Sequence, residues 1–294
     1  MVSPAIQAAA DLLRHRRARA EALHLTLPQR RAAFEANAEL LLAATDIDVE
    51  AGVFAGVAGE RLNGAATGGT LLYLHGGGYC VGSPRTHREL AGRLARSANR
   101  VGVVPDYRLA PEHPFPAGLD DAFAVYRSLC ETEGAPPTLA GDSAGGGLAL
   151  ALLLRLREDG LPLPPRVAVL SPWTDLTLGG ASIRDRAGRD PYMSEAVLTA
   201  FADAYAPVGD RRRPLVSPLH ADLSGFPLLW IEVGSEEVLF DDAARLHDRA
   251  RADGVEATLF VGEGLFHVWQ AVPGAPEALA ASDRIGSFLS GSQT

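Results

Sequence analysis

The sequence predicts an α/β protein with a mostly parallel sheet covered by helices on both faces. Three observations carry that expectation. Short apolar runs alternate with helix patterns along most of the 294 residues. One such run, 70–74, opens directly into His75-Gly76-Gly77-Gly78. Another ends near 139–140 at Gly141-Asp142-Ser143-Ala144-Gly145, and a long Ala/Leu helix pattern follows. Chemistry in such sheets gathers at the carboxyl ends of the strands, where both motifs fall.

Taken in order, residues 5–44 are rich in Ala, Leu, Arg and Glu and read as two helices broken at Pro28. Residues 46–60 read as short strands. After the strand at 70–74 come a helix pattern at 87–97 and the strand Val101-Gly102-Val103-Val104. An amphipathic helix is expected over 117–131, then a short strand ending at the Ser143 turn and a helix over 147–158. Beyond the strand at 167–170 the rhythm breaks. Residues 173–219 carry Pro, Arg and Asp, with one helical piece near 194–206, and read as an insertion. A strand at 226–233, a helix at 240–253, a strand at 257–261 and a helix at 275–290 restore the alternation. There is no internal repeat and no low-complexity segment.

Composition narrows the class. A hydrophobic content of 47% and a mean hydropathy of +0.05 describe a globular chain. The net charge of −9 argues against nucleic acid or an anionic membrane surface as partner. No apolar stretch is long enough to span a bilayer, so no stable membrane insertion is expected. Two cysteines, Cys80 and Cys130, are no disulfide framework and fit a reduced, cytoplasmic protein. Arg14, Arg16, Arg17 and Arg19 are interrupted by Asp11 and Glu21, and read as a solvated helix face rather than a transit peptide.

The G-x-S-x-G pentapeptide suits a serine nucleophile on a sharp strand-to-helix turn. Ser143 would sit at the mouth of the sheet, above the positive end of the following helix. A phosphate-binding glycine loop is the competing reading, but no Walker Lys-Ser/Thr and no G-x-G-x-x-G with a downstream acid accompanies it. Three glycines after a strand are costly in entropy and make sense where backbone N–H groups approach a ligand. Gly77 and Gly78 are the expected donors to an oxyanion, with the Ala144 N–H as the third. Gly76 would shape the turn, and His75 would anchor the loop.

A serine hydroxyl needs a base, and the base a carboxylate. His267 follows the 257–261 strand and comes after the serine and after the candidate acids in chain order. Apart from His75, the other six histidines lie in helical patterns, in a Pro-rich loop or before a strand. For the acid, Glu237 is preferred, with Glu236 and Asp241 as alternatives; the carboxylates left over would cap the helix near 240. Asp142 is expected to brace its own loop. Tyr79 and Trp269 are candidates for the pocket lining. Thiol reagents are expected to inhibit at Cys80 by bulk. Activity is expected to fall below about pH 6.5, where a histidine base is protonated.

These residues together resemble the bacterial hormone-sensitive-lipase-like family of α/β-hydrolase esterases. The motifs are HGGG at 75–78, Asp106-Tyr-Arg-Leu-Ala-Pro-Glu112 followed by His113-Pro-Phe-Pro116, GDSAGG at 141–146, Ser171-Pro-Trp-Thr-Asp-Leu176, and His267. The likeness covers roughly 45–290. It implies an α/β-hydrolase fold with an eight-stranded, mostly parallel sheet. Residues 45–172 and 220–294 would form the catalytic domain, and 1–44 with 173–219 a helical cap. Where the family has an aspartate in a D-x-L setting, this chain has Glu237-Val238-Leu239. Arg108 and Glu112 would brace the loop beside the site, and Asp175 would tie down the cap hinge. The implied activity is hydrolysis of short-chain acyl esters through an acyl-enzyme, with no metal or organic cofactor. Lactone hydrolysis and acetyl hydrolysis are the enzymatic alternatives, and a non-catalytic small-molecule receptor is the alternative of another class. The likeness leaves a homodimer open.

Overall fold

In the computed structural model, which describes residues 1–42 and 46–292, the chain starts with two helices, α1 (Pro4–Ala22) and α2 (Leu27–Leu42). Pro28 stands in the first turn of α2, where its missing N–H costs nothing, so it opens that helix instead of separating the two. Residues 43 and 44 of the expected helical stretch lie outside the described residues. A hairpin of β1 (Val49–Phe54) and β2 (Val57–Leu62) follows, then β3 (Thr70–Leu74), α3 (Pro84–Ser97) and β4 (Val101–Pro105). Helix α3 begins three residues before the expected 87. Ser83 and Thr86 exchange side-chain and backbone hydrogen bonds in a capping box, and Pro84 takes the first turn.

The middle of the chain supplies α4 (Ala117–Glu133), β5 (Thr138–Asp142), α5 (Ala144–Glu158) and β6 (Arg166–Leu170). Between β6 and β7 (Leu228–Gly234) lie a short helix, α6 (Ser182–Asp185), and α7 (Glu195–Tyr205), capped by Ser194. The chain closes with α8 (Phe240–Ala252), β8 (Ala257–Gly262) and α9 (Pro276–Ser290).

One eight-stranded sheet runs in the order β1-β2-β4-β3-β5-β6-β7-β8. The β1–β2 and β2–β4 pairs are antiparallel and the rest parallel. The short central strands are buried on both faces, as parallel strands are. In β3, Leu72 and Leu74 face a core shared with α4, α5 and α8, while Leu71 and Tyr73 face the core beneath α3 and α9. Each fully buried leucine contributes about 1.5–3 kcal/mol relative to an exposed one. Helix α1 lies over a third cluster, where Ile6 and Ala10 meet Leu265, Phe266 and Trp269.

Parallel register aligns the strand ends that matter. Leu74 lies opposite Gly141, Leu170 opposite both Asp142 and Glu232, and Gly234 opposite Gly262. The loops after β3, β5, β7 and β8 therefore emerge along one edge. No helix among the described residues is long and apolar enough to cross a membrane.

Candidate active site

Ser143 is the single residue between β5 and α5, with φ 52° and ψ −121°. That left-handed backbone costs a non-glycine residue about 1–3 kcal/mol and lifts the side chain out of the turn. Helix α5 starts at Ala144, not at the expected 147. Its first residues are small because the β3 loop lies against them. A Cβ on Gly145 would come within 2.0 Å of the Leu74 carbonyl oxygen and 2.5 Å of that of His75. The serine is 6% exposed, at the floor of the site.

His267 reaches this serine from the loop after β8, its Nε2 lying 3.0 Å from Ser143 Oγ. On the other side of the ring, Nδ1 is 2.9 Å from Glu237 Oε2. A carboxylate only accepts, so Nδ1 carries the proton and Nε2 is left to accept from the hydroxyl. The remaining Glu237 oxygen accepts from the Gly234 N–H and from Ser171 Oγ, and Ser171 Oγ in turn accepts from the Val268 N–H. Ser171 thus ties the acid to the residue after the histidine.

Burial pushes the Glu237 carboxyl upward, while the donors around it favour the anion. Burial alone would lower the His267 imidazole, but the Glu237 hydrogen bond and charge outweigh it, and the net direction is upward.

The competing acids are engaged elsewhere. Glu236 forms a two-pronged ion pair with Arg189, at 2.6 and 2.7 Å. Asp241 accepts from the Ser182 N–H, and Asp242 from the backbone N–H groups of Thr174 and Asp175. The carboxylates expected at this helix start do stand in the first turn of α8, as Asp241 and Asp242, where negative charge is favourable, but they make no capping hydrogen bond. The N-cap position, Leu239, has no side-chain cap, and both aspartates instead hold the 173–219 segment onto α8. Burial pushes Asp242 up to about 7.

The glycine loop is braced from behind. Asp142 Oδ1 accepts from Tyr73 Oη at 2.7 Å and from the Gly76 N–H at 3.0 Å. Its other oxygen lies 3.5 Å from His87 Nε2. His75 stacks between Tyr107 and His87, and burial drops its pKa to about 3, so it stays neutral. Gly76 is thereby spent on Asp142. Among the described residues, the N–H groups of Gly77, Gly78 and Ala144 have no protein acceptor. Gly78 has φ +61°, and a Cβ on it would lie 2.1 Å from the Phe201 ring of α7.

Loop bracing extends outward. Arg108 pairs with Asp121 at 2.7 Å, and Glu112 with Arg31 of α2 at 2.7 Å. Asp175 gathers Thr177, His220 and Arg245 at the start of the 173–219 segment.

Two expectations need correction. Trp269 does not line the site. It is fully buried under α1 with Ile6, Leu265 and Phe266, because the turn after His267 directs it into that cluster. Cys80 is fully buried and burial pushes its thiol up to about 12, so neither access nor thiolate supports inhibition by thiol reagents. Tyr79 sits next to Gly78, 3% exposed and stacked on Tyr205 at 3.8 Å. Two aromatics overlooked in the sequence do border the site: Phe201 against Gly78, and Tyr192, whose ring centroid lies 5.8 Å from that of His267. Only their place in the insertion hinted at this.

A parallel sheet that delivers a strained serine, a histidine and a carboxylate in hydrogen-bond series to one edge is the framework of an α/β hydrolase with a serine centre. Comparison with known proteins agrees. The family model described as alpha/beta hydrolase fold matches residues 71–271. The chain belongs to that family, in its bacterial hormone-sensitive-lipase branch. It is 47% identical over 226 residues to an acetyl-hydrolase of Streptomyces hygroscopicus, covering 76% of this chain and 75% of that protein. An esterase of Acinetobacter venetianus is 37% identical, with 77% of each chain covered. Among solved structures, an esterase of the bacterial hormone-sensitive lipase family superposes with a TM-score of 0.92 at 39% identity, covering 99% of both chains.

Proposed function

We propose that this chain is a serine carboxylic-ester hydrolase acting on esters of small acyl groups. The observation that carries the reading is the unbroken series Ser143 Oγ, His267 Nε2, His267 Nδ1, Glu237 Oε2, with separations of 3.0 and 2.9 Å. Ser143 attacks the acyl carbon as His267 takes its proton. The oxyanion is held by the N–H groups of Gly77, Gly78 and Ala144, each worth roughly 3–4 kcal/mol in the transition state. His267 then protonates the leaving alcohol, and water, deprotonated by the same imidazole, cleaves the acyl-enzyme. Glu237 fixes the tautomer and stabilises the imidazolium.

In this reading, helices of 1–44 and 173–219 form the cap. Arg31 and Arg17 support it by joining α2 to the loop at Glu112 and α1 to the segment at 190–193. The Phe201 ring against Gly78 and the Tyr192 ring beside His267 narrow the site from the cap side and favour a short acyl group. The acetyl-hydrolase name of the Streptomyces relative points the same way. Cys80 and Cys130, both free thiols, suit a cytoplasmic enzyme.

A substrate panel tests the proposal: p-nitrophenyl esters from acetate upward, lactones, and N-acetyl compounds. Turnover should be greatest with the shortest esters. Turnover of N-acetyl compounds or lactones alone would replace the ester assignment, and no reaction with a fluorophosphonate would remove the serine mechanism.

The pH profile gives a second test. A protonated His267 cannot accept the serine proton, so kcat/KM is lost as pH falls through its pKa. Since that pKa is raised, the acid limb should lie above the ordinary value of about 6.5, earlier on acidification than the sequence alone suggests. A limb at or below 6.5 contradicts the Glu237–His267 coupling.

A further inference from the structure

Behind the acid stands a buried carboxylate that the reaction itself does not use. Asp190 belongs to the 173–219 segment and is 1% exposed. One of its oxygens accepts from the N–H groups of Tyr192 at 2.8 Å and Met193 at 3.0 Å, closing a tight turn. The other accepts from the Val238 N–H at 3.0 Å, on the residue next to Glu237. A single side chain therefore fixes both the loop that presents Tyr192 beside His267 and the loop that presents the acid. From the outer side, Arg17 of α1 donates to the carbonyls of Asp190 at 2.7 Å and Met193 at 3.1 Å.

We infer that Asp190 is a positioning residue for the acid–histidine pair, and that Arg17 of the N-terminal helix clamps it in place. The inference rests on the esterase reading above and adds to it a path from α1 to the catalytic centre. Three N–H donors on a fully buried carboxylate make the two loops one rigid body. Without Asp190 the Val238 N–H would be buried and unpaired, and Glu237 would lose its support one residue away.

The charge of Asp190 has its own effect. It lies close enough to both members of the pair to favour the His267 imidazolium, in the same sense as Glu237 and Asp142. Other charged groups face the same place. Arg186 donates to the Ser235 carbonyl, and Arg189 pairs with Glu236 on the solvent side. Tyr192 and Ser143 also border the imidazole. All remain in an Asp190→Asn variant, so a change in pH profile reports on Asp190.

Asp190→Asn should lower kcat about tenfold and change KM less, because the oxyanion donors stay in place and the loss falls mainly on the alignment of the reacting groups. Its acid limb should also move to lower pH by about half a unit, as expected for a lost neighbouring negative charge. Arg17→Met keeps that charge, so kcat should drop several-fold with the acid limb unmoved. Wild-type kcat and an unmoved acid limb in Asp190→Asn would overturn the inference. Should Asp190→Asn fail to fold, as read by thermal melting, Arg17→Met decides alone, and a wild-type kcat there overturns it. Wild-type turnover that Ser143→Ala removes is measured first. Without it the esterase reading fails, whereas with it a null result at both positions sinks only the positioning role.

Discussion

Replacing Ser143 with alanine is expected to remove ester hydrolysis, with kcat falling by about 10⁴-fold or more. The hydroxyl is the atom 3.0 Å from His267 Nε2, and no other hydroxyl bonds to that nitrogen among the described residues. Alanine also fits the turn, since its Cβ is already present in serine and the φ of 52° is no worse for it. The variant should therefore fold and bind substrate, while the oxyanion donors remain. Stopped assays on p-nitrophenyl acetate and fluorophosphonate labelling check it together. Residual turnover within a hundredfold of wild type, with labelling retained, would show that another group is the nucleophile.

Glu237→Gln carries the second largest expected effect, a loss of about 10⁴-fold in kcat. The size follows from which way the amide must face. Its NH2 cannot take the place of Oε1, because the Gly234 N–H and the Ser171 hydroxyl both point there. It therefore turns toward His267 and donates to Nδ1. The imidazole proton is then forced onto Nε2, facing Ser143, where an acceptor is needed. Activity loss with an unchanged melting temperature is the expected pair of results. A variant within tenfold of wild type would mean that the carboxylate does not set the tautomer.

The position of this acid shows where sequence reading stops. Glu236 and Glu237 are neighbours on one loop and identical in chemistry, and the sequence favours Glu237 only through the likeness of Glu237-Val238-Leu239 to the family's D-x-L setting. Arg189 draws Glu236 outward, and Ser171, Gly234 and His267 receive Glu237 inward. These partners lie up to 66 residues away in the chain. Trp269 misled for the same reason. Two residues after the histidine it looks like pocket lining, yet α1, more than 250 residues earlier, folds over it and makes it core. Phe201 and Tyr192 gave no signal beyond their place in the insertion, since an aromatic there announces no particular neighbour.

What the chain states openly is what local backbone geometry demands. The order of strands and helices follows from hydrophobic periodicity, and it appears in the structure within a few residues. A strained turn at Ser143 needs small neighbours, and a loop that offers bare amides needs glycine, so both are written as residue types at fixed spacing. Tertiary structure turned a preference for Glu237 into a contact with the imidazole, and it alone selected which aromatics stand beside Gly78 and His267 and which buried aspartate holds two loops together. Those choices depend on contacts between segments far apart in the chain. Burial and pairing energies of that kind arise only once the sheet has brought the loops to one edge.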